Sequence, residues 1–110
     1  MPVSASIEVV TRCIEEAIKA EMRSRTKEAL WVTHYGANDI HPRHLVYWIV
    51  VGSDKEKRRL EQDADLLSTL RALLDDFDYP IEGRAGVHIG FESQETVDRE
   101  AGGDFYQYWK

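Results

Sequence analysis

The run LVYWIVV, residues 45–51, restricts the possible folds of this chain more than any other stretch. It is rich in β-branched and aromatic side chains, which are typical of a β-strand. Because successive side chains of a strand point to opposite faces of the sheet, both faces of this strand are apolar. We therefore expect a central strand, over residues 44–51, that is covered on each side by helices or by a second layer.

Two helical patterns lie on either side of this strand along the chain. Apolar residues at three- and four-residue steps predict an amphipathic helix over about residues 5–24. A second helix is expected to begin after Ser53, because the spacing from Ser53 to Glu56 is that of a capping box. The apolar stripe of this helix continues to Phe77, and the following Tyr79–Pro80 ends it. We expect these to be the two main helices.

Three more segments complete the pattern. Residues 29–35, ALWVTHY, predict a strand that a long hairpin loop joins to the central one. Residues 87–91, VHIGF, alternate in the way that a half-buried strand requires. Ser93 can then cap a short helix that ends near residue 101. The aromatic run DFYQYW, residues 104–109, predicts a final strand.

The order of these elements is helix, strand, strand, helix, strand, short helix, strand. This order favours an α+β fold, with a single layer of about four strands and two main helices. With 110 residues the chain has the size of one domain. We place that domain at residues 1–110 and expect residues 1–4 to be flexible.

The charge and the cysteine content exclude some functions. The chain carries 20 acidic and 14 basic residues, so its formal net charge is −6. A field of this sign repels nucleic acid and disfavours nucleic-acid binding as the main activity. The single cysteine, Cys13, excludes an intramolecular disulfide, and no run predicts a signal peptide or a membrane span. We expect a cytoplasmic protein without a cofactor.

The aromatic and acidic residues near the end of the chain predict a binding surface. If both helices pack on one side of the sheet, its other face, which is apolar and aromatic here, has no helical cover. The alternative is that one helix lies on each side. Trp48 of the central strand and Tyr106 and Tyr108 of the final strand are candidates for that face, and Glu95 and Asp98 are the neighbouring carboxylates. We expect a binding domain that forms a homodimer, or that caps a basic protein partner, through this surface.

A ligand-binding or enzymatic domain is the alternative function. Basic residues crowd the start of the second helix, where the free amides of the first turn also favour negative charge. Ser53 and Arg58 are therefore candidates for an anion site, although the same charges also suit a solvated helix end. No glycine-rich phosphate loop precedes them.

The histidines suggest a second form of this alternative. His34 and His88 lie on two predicted strands, and together with a carboxylate they could hold a metal ion such as catalytic zinc. No metal-binding motif or catalytic triad supports this arrangement, so they remain weak candidates beside ordinary surface histidines. We therefore predict neither a metal nor a catalytic residue, and the sequence favours a binding protein over an enzyme.

Overall fold

The computed structural model describes residues 6–102 of the 110-residue chain and has the expected α+β fold. Within these residues helices and strands are interleaved along the chain. The elements are α1 (Ile7–Arg23), β1 (Trp31–Tyr35), a 3-10 helix (Pro42–His44), β2 (Val46–Val51), α2 (Asp54–Glu61), α3 (Ala64–Asp76), α4 (Ile81–Arg84), β3 (His88–Ser93) and α5 (Gln94–Ala101).

The sheet has the order β1-β2-β3, so the apolar run does form the central strand. β1 pairs with β2 in antiparallel orientation, whereas β3 pairs with β2 in parallel orientation. Thr33, Trp48 and Gly90 lie beside one another in the register of the three strands. The parallel pairing requires a crossover connection, which α2, α3 and α4 supply.

The predicted number of four strands is too high for the described part of the chain, which contains three. The predicted final strand, residues 104–109, lies outside the described residues. The same holds for residues 1–4, which we expected to be flexible. The strands that the structure does describe begin and end within about two residues of the predicted positions.

The predicted second helix is two helices. α2 ends at Glu61 and α3 begins at Ala64, and the carboxylate of Asp63 accepts a hydrogen bond of 3.0 Å from the amide of Leu66. An aspartate that satisfies a free amide in this way begins a new helix and competes with continuation of the old one. The bend leaves both Leu60 and Leu66 fully buried in the core.

Helices α1 and α3 cover one face of the sheet. Tyr47, Ile49 and Val51 point from β2 into a core to which α1 contributes three side chains and α3 three more. The helical members of this core are Ile14, Ile18, Met22, Leu66, Leu70 and Leu74. Each such buried side chain stabilises the fold by about 1.5–3 kcal/mol relative to an exposed one.

The apolar stripe of α1 also explains why Cys13 is exposed. Cys13 follows directly after a residue of the polar side and is exposed, although it precedes the buried Ile14. Adjacent residues of a helix point about 100° apart, since one turn takes 3.6 residues. Cys13 is therefore a surface thiol and does not pack in the core.

The other face of the sheet carries a second set of side chains, which we call the aromatic face. The strand register places on it the residues that alternate with those of the core. They are Trp31, Thr33 and Tyr35 of β1, Val46, Trp48 and Val50 of β2, and His88, Gly90 and Glu92 of β3. Neither α1 nor α3 covers this face.

The loop between β1 and β2 depends on Gly36. Its φ of +118° is a backbone conformation that other residues rarely adopt, and a Cβ atom there would lie 1.8 Å from the carbonyl oxygen of His44. We expect Gly36→Ala to lower the free energy of unfolding by more than about 3 kcal/mol, because strain and a backbone clash add. Chemical denaturation at neutral pH measures this.

Gly102→Ala is the matched control. Gly102 also has a positive φ, of +61°, but apart from its chain neighbours no atom of residues 6–102 lies within 4 Å of the position of a Cβ atom. The free energy of unfolding of this variant should fall by only about 1 kcal/mol, which is the ordinary cost of an alanine in the left-handed backbone conformation. Equal losses for the two variants would contradict the importance that we assign to the contact between Gly36 and His44.

Candidate functional site

Three rings from three strands form the centre of the aromatic face. The Trp48 indole lies edge-on to the His88 ring, with 5.1 Å between the ring centroids and an interplanar angle of 62°. Its Nε1 donates a hydrogen bond of 3.2 Å to the hydroxyl of Tyr35. Both Trp48 and His88 lean over Gly90, where a Cβ atom would come within 2.8 Å of the indole and 2.6 Å of the imidazole. The absence of a Cβ atom at Gly90 therefore allows both rings to approach the backbone of β3.

The rim of this surface is open to solvent. Trp31 is 39% exposed and Tyr35 is 44% exposed, whereas Val50 beside Trp31 is buried. Of the predicted surface residues, Trp48 lies on this face, and Tyr106 and Tyr108 lie outside the described residues. Trp31, Tyr35 and His88 were not predicted from the sequence to belong to this surface. The period-two alternation of residues 31–35 is the signal that could have placed Trp31 and Tyr35 together.

The predicted anion site at the start of α2 is filled by carboxylates of the chain itself. Oε1 of Glu28 accepts hydrogen bonds of 3.0 Å from the amides of Gly52 and Ser53, and the Ser53 hydroxyl donates to its Oε2 at 2.7 Å. Glu95 accepts a further bond of 2.7 Å from the amide of Asp54. The favourable position for an anion is real, but two glutamates occupy it.

The basic residues of α2 are not gathered around this helix start. Arg58 is exposed, and within residues 6–102 it makes no ion pair or hydrogen bond with the carboxylates there. Arg59 instead binds Glu56, and Lys57 lies 3.2 Å from the buried Glu92. The structure therefore separates Ser53 from Arg58, which the sequence pattern had grouped.

A reciprocal arrangement joins the starts of α2 and α5. The carboxylate of Asp54, in α2, accepts hydrogen bonds from the hydroxyls of Ser93 and Thr96 and from Arg99, the last at 3.0 Å. These three donors stabilise the charged form and hold the pKa of Asp54 well below its usual range. In return Glu95, from the first turn of α5, caps α2.

The two predicted surface carboxylates thus have local roles. Glu95 is exposed but its Oε1 is bound to the Asp54 amide, and Asp98 accepts a hydrogen bond of 2.9 Å from the side chain of Gln94. Glu95 lies in the first turn of α5, where the helix dipole favours negative charge, and Asp98 lies one turn later, near the middle of this helix. The structure does not place them on the aromatic face.

Glu56 ties the loop after α1 to α2. Its carboxylate accepts hydrogen bonds from Arg59 and from the hydroxyl of Thr26, and these interactions lower the pKa of Glu56 to about 2. The Ser53 hydroxyl accepts from the amide of Glu56 at 3.2 Å, as the capping-box spacing predicts. The reciprocal bond of the box is absent from the described residues, since Glu28 holds the Ser53 amide.

His34 and His88 do not come together. His34 pairs in register with Tyr47 and lies on the core side of the sheet, whereas His88 lies on the aromatic face. Nδ1 of His34 instead donates a hydrogen bond of 2.7 Å to Glu15 of α1. No group of three or more histidine, cysteine, aspartate or glutamate side chains in residues 6–102 is arranged to hold a metal ion.

The network around Asp54 predicts a dependence of stability on pH. A carboxyl group whose pKa is lowered by folding stabilises the native state above its unfolded pKa of about 3.9, and this contribution is lost as the pH falls below that value. We expect Asp54→Asn to melt at a lower temperature than the wild type at neutral pH. The difference should shrink below about pH 4.

Asp76→Asn, which changes an exposed carboxylate at the end of α3, is the control. This variant should have nearly the melting temperature of the wild type both at neutral pH and below about pH 4. Thermal unfolding followed by circular dichroism between neutral pH and about pH 2 measures both variants. A melting temperature for Asp54→Asn equal to that of the wild type at neutral pH would show that the network does not stabilise the fold.

Comparison with known proteins adds no relative to this description. No protein-family model, no curated protein and no solved structure matches the chain. Within residues 6–102, no helix combines the length and the apolar character that crossing a bilayer requires. The functional argument therefore depends on the geometry of the two faces of the sheet.

Proposed function

We propose that this chain is a protein-interaction domain whose contact surface is the aromatic face. The observation that carries the proposal is the row of Tyr35, Trp48 and His88 across the three strands, on the face of the sheet opposite α1 and α3. Trp31 lies on the same face, further along β1 and beside Val50. The exposure of Trp31 and Tyr35, at 39% and 44%, gives a partner access to their rings.

The residue types support a protein partner. Tryptophan and tyrosine supply large contact areas with few rotatable bonds, and their polar edges keep a hydrogen-bond partner when they are buried. They are enriched among the residues that dominate the binding energy of protein interfaces. In this protein the ring row is also pre-organised, because the hydrogen bond between Trp48 and Tyr35 and the close approach to Gly90 hold the rings in place.

The charge of the chain supports a basic partner. With a formal net charge of −6, the protein attracts a positively charged surface and repels a second copy of itself at long range. Arginine and lysine side chains of such a partner can bind over the faces of exposed aromatic rings. We propose a cytoplasmic location, where the exposed thiol of Cys13 stays reduced.

Asp98 and its neighbours are a secondary part of this proposal. Asp98 is exposed at the side of α5 and can contribute to the attraction of a basic partner from outside the contact surface. Glu95 contributes mainly through the cap of α2, so its substitution would act through stability. We therefore expect the row of rings to make the apolar contact with the partner, and exposed carboxylates such as Asp98 to attract it electrostatically.

The test is a comparison of two alanine variants in capture from lysate of the source organism. Trp31→Ala removes an exposed ring from the aromatic face, and Ile81→Ala removes an exposed apolar side chain, 77% accessible, from α4. We expect the wild type and Ile81→Ala to retain one basic protein in a one-to-one complex. Trp31→Ala should bind it at least about tenfold more weakly, as measured by calorimetry with the purified partner.

The alternatives give different results. A complex of two copies that dissociates in Trp31→Ala would replace the basic partner by a homodimer, which native mass spectrometry distinguishes. Equal retention by the two variants would exclude the aromatic face as the contact surface. Circular dichroism of both variants checks that each retains its helices and strands.

A further inference from the structure

A separate polar cleft lies on the core side of the sheet, between the first turns of α1 and the chain that leaves β1. Its volume is about 390 Å³. Its lining includes Gly36 and Tyr35, and Tyr35 also belongs to the aromatic face. The other polar side chains that line the cleft come from three segments and are Glu8, Thr11, Arg12, His34, Asn38 and Asp39. The aromatic face and its proposed partner do not involve these six residues.

The hydrogen bond to Glu15 determines which ring nitrogen of His34 carries the proton. A carboxylate only accepts hydrogen bonds, so Nδ1 of His34, 2.7 Å from Oε1 of Glu15, carries a proton and donates it. The other ring nitrogen, Nε2, is then the one with a free lone pair in the neutral imidazole. Glu15 lies outside the lining of the cleft, and its other oxygen is 3.8 Å from Lys19. In its neutral form His34 can therefore accept a hydrogen bond from a ligand at Nε2.

The side-chain amide of Asn38 also offers an acceptor to the cleft. Its amide nitrogen donates a hydrogen bond of 3.0 Å to the hydroxyl of Thr11 and approaches the hydroxyl of Tyr79 at 3.5 Å. The Thr11 hydroxyl in turn donates its proton to the carbonyl oxygen of Ile7 at 2.7 Å. With the amide protons directed at these oxygens, the carbonyl oxygen of Asn38 is left as an acceptor.

The charged groups of the cleft add further acceptors. Glu8 and Asp39 are exposed carboxylates and Arg12 is an exposed guanidinium, so the lining carries one more negative than positive charge. Among residues 6–102 these three side chains form no ion pair with one another or with a neighbour. The side chains of the cleft therefore offer acceptors from four residues, against a single cationic donor at Arg12.

We propose that this cleft binds a small aliphatic amine. A primary ammonium group has three donors and no acceptor, which matches a site composed of an imidazole lone pair, an amide oxygen and a carboxylate. His34, Asn38 and Asp39 would receive the ammonium group, and Glu8 would add attraction from the first turn of α1. The volume accommodates a chain of a few carbon atoms, as found for small-molecule sites at the lower end of the usual range.

The first experiment uses the full chain and three amines, ethanolamine, putrescine and spermidine, in nuclear magnetic resonance titrations at neutral pH. We expect at least one of them to bind saturably and to shift the amide signals of residues 34–39 and of the first turns of α1. The diol with the same carbon chain as putrescine is the matched probe and should give no saturable shift. The ¹⁵N signal of Nε2 of His34 should move when the amine binds, because its lone pair accepts a hydrogen bond.

Two variants test the residues. Asp39→Asn removes an exposed charge without a structural partner in residues 6–102, and it should weaken amine binding at least about threefold. His34→Phe keeps a planar ring but removes the acceptor, and it should weaken binding at least about tenfold. Asp76→Asn, on α3 outside the cleft, should bind as the wild type does.

Three results would overturn the proposal. One is the absence of saturable binding for all three amines at millimolar concentration, and another is equal binding of the diol. The third is equal weakening by Asp39→Asn and Asp76→Asn, which would indicate general attraction of cations to an acidic protein. If His34→Phe does not fold, Asp39→Asn and the ¹⁵N signal of the wild type still decide between these outcomes.

Discussion

The pairing of β2 on both of its edges is the constraint on which the rest of the structure depends. β1 lies along one edge and β3 along the other, so the backbone of the central strand is satisfied by the sheet. Its side chains then serve two different surfaces: Tyr47, Ile49 and Val51 anchor α1 and α3, while Val46, Trp48 and Val50 support the aromatic face. A slip of one residue in this register would exchange the two sets and destroy both surfaces.

The parallel orientation of β3 explains why charged groups cluster where β2 and β3 end. Two parallel strands end at the same edge, and α2 and α5 both begin there, so two sets of free amides and two positive helix ends lie close together. The chain supplies the negative charge itself. Glu28 and Glu95 accept hydrogen bonds from backbone amides at the start of α2, and Asp54 accepts from the side-chain hydroxyls of Ser93 and Thr96 at the start of α5. Part of the acidity of the chain thus stabilises its helix starts, and the site where an external anion would bind is already filled.

Local patterns were sufficient where the relevant contact is close in sequence. The caps at Ser53 and Ser93 bond to amides three residues ahead, and the stripe of α1 buries Ile14, Ile18 and Met22 as its spacing predicts. The break at Gln62–Asp63 escaped prediction because the apolar stripe continues across it, although Asp63 three residues before Leu66 is a recognisable cap. The candidate sites were harder. The pair of His34 and Glu15 and the clamp of Glu28 on Ser53 join residues 19 and 25 positions apart, and no local pattern couples them.

By itself the sequence determined the class of the fold, the central position of residues 46–51 and the net negative charge of the chain, because these follow from periodicity, apolar content and composition. Only the tertiary structure decided which groups meet. The strand order put His34 and His88 on opposite faces, brought Trp48 beside Tyr35 and His88, and turned Glu95 into a cap for another helix. The physical reason is that strand pairing and register are set by long-range packing of the whole chain, whereas a sequence pattern reports only what adjacent residues prefer.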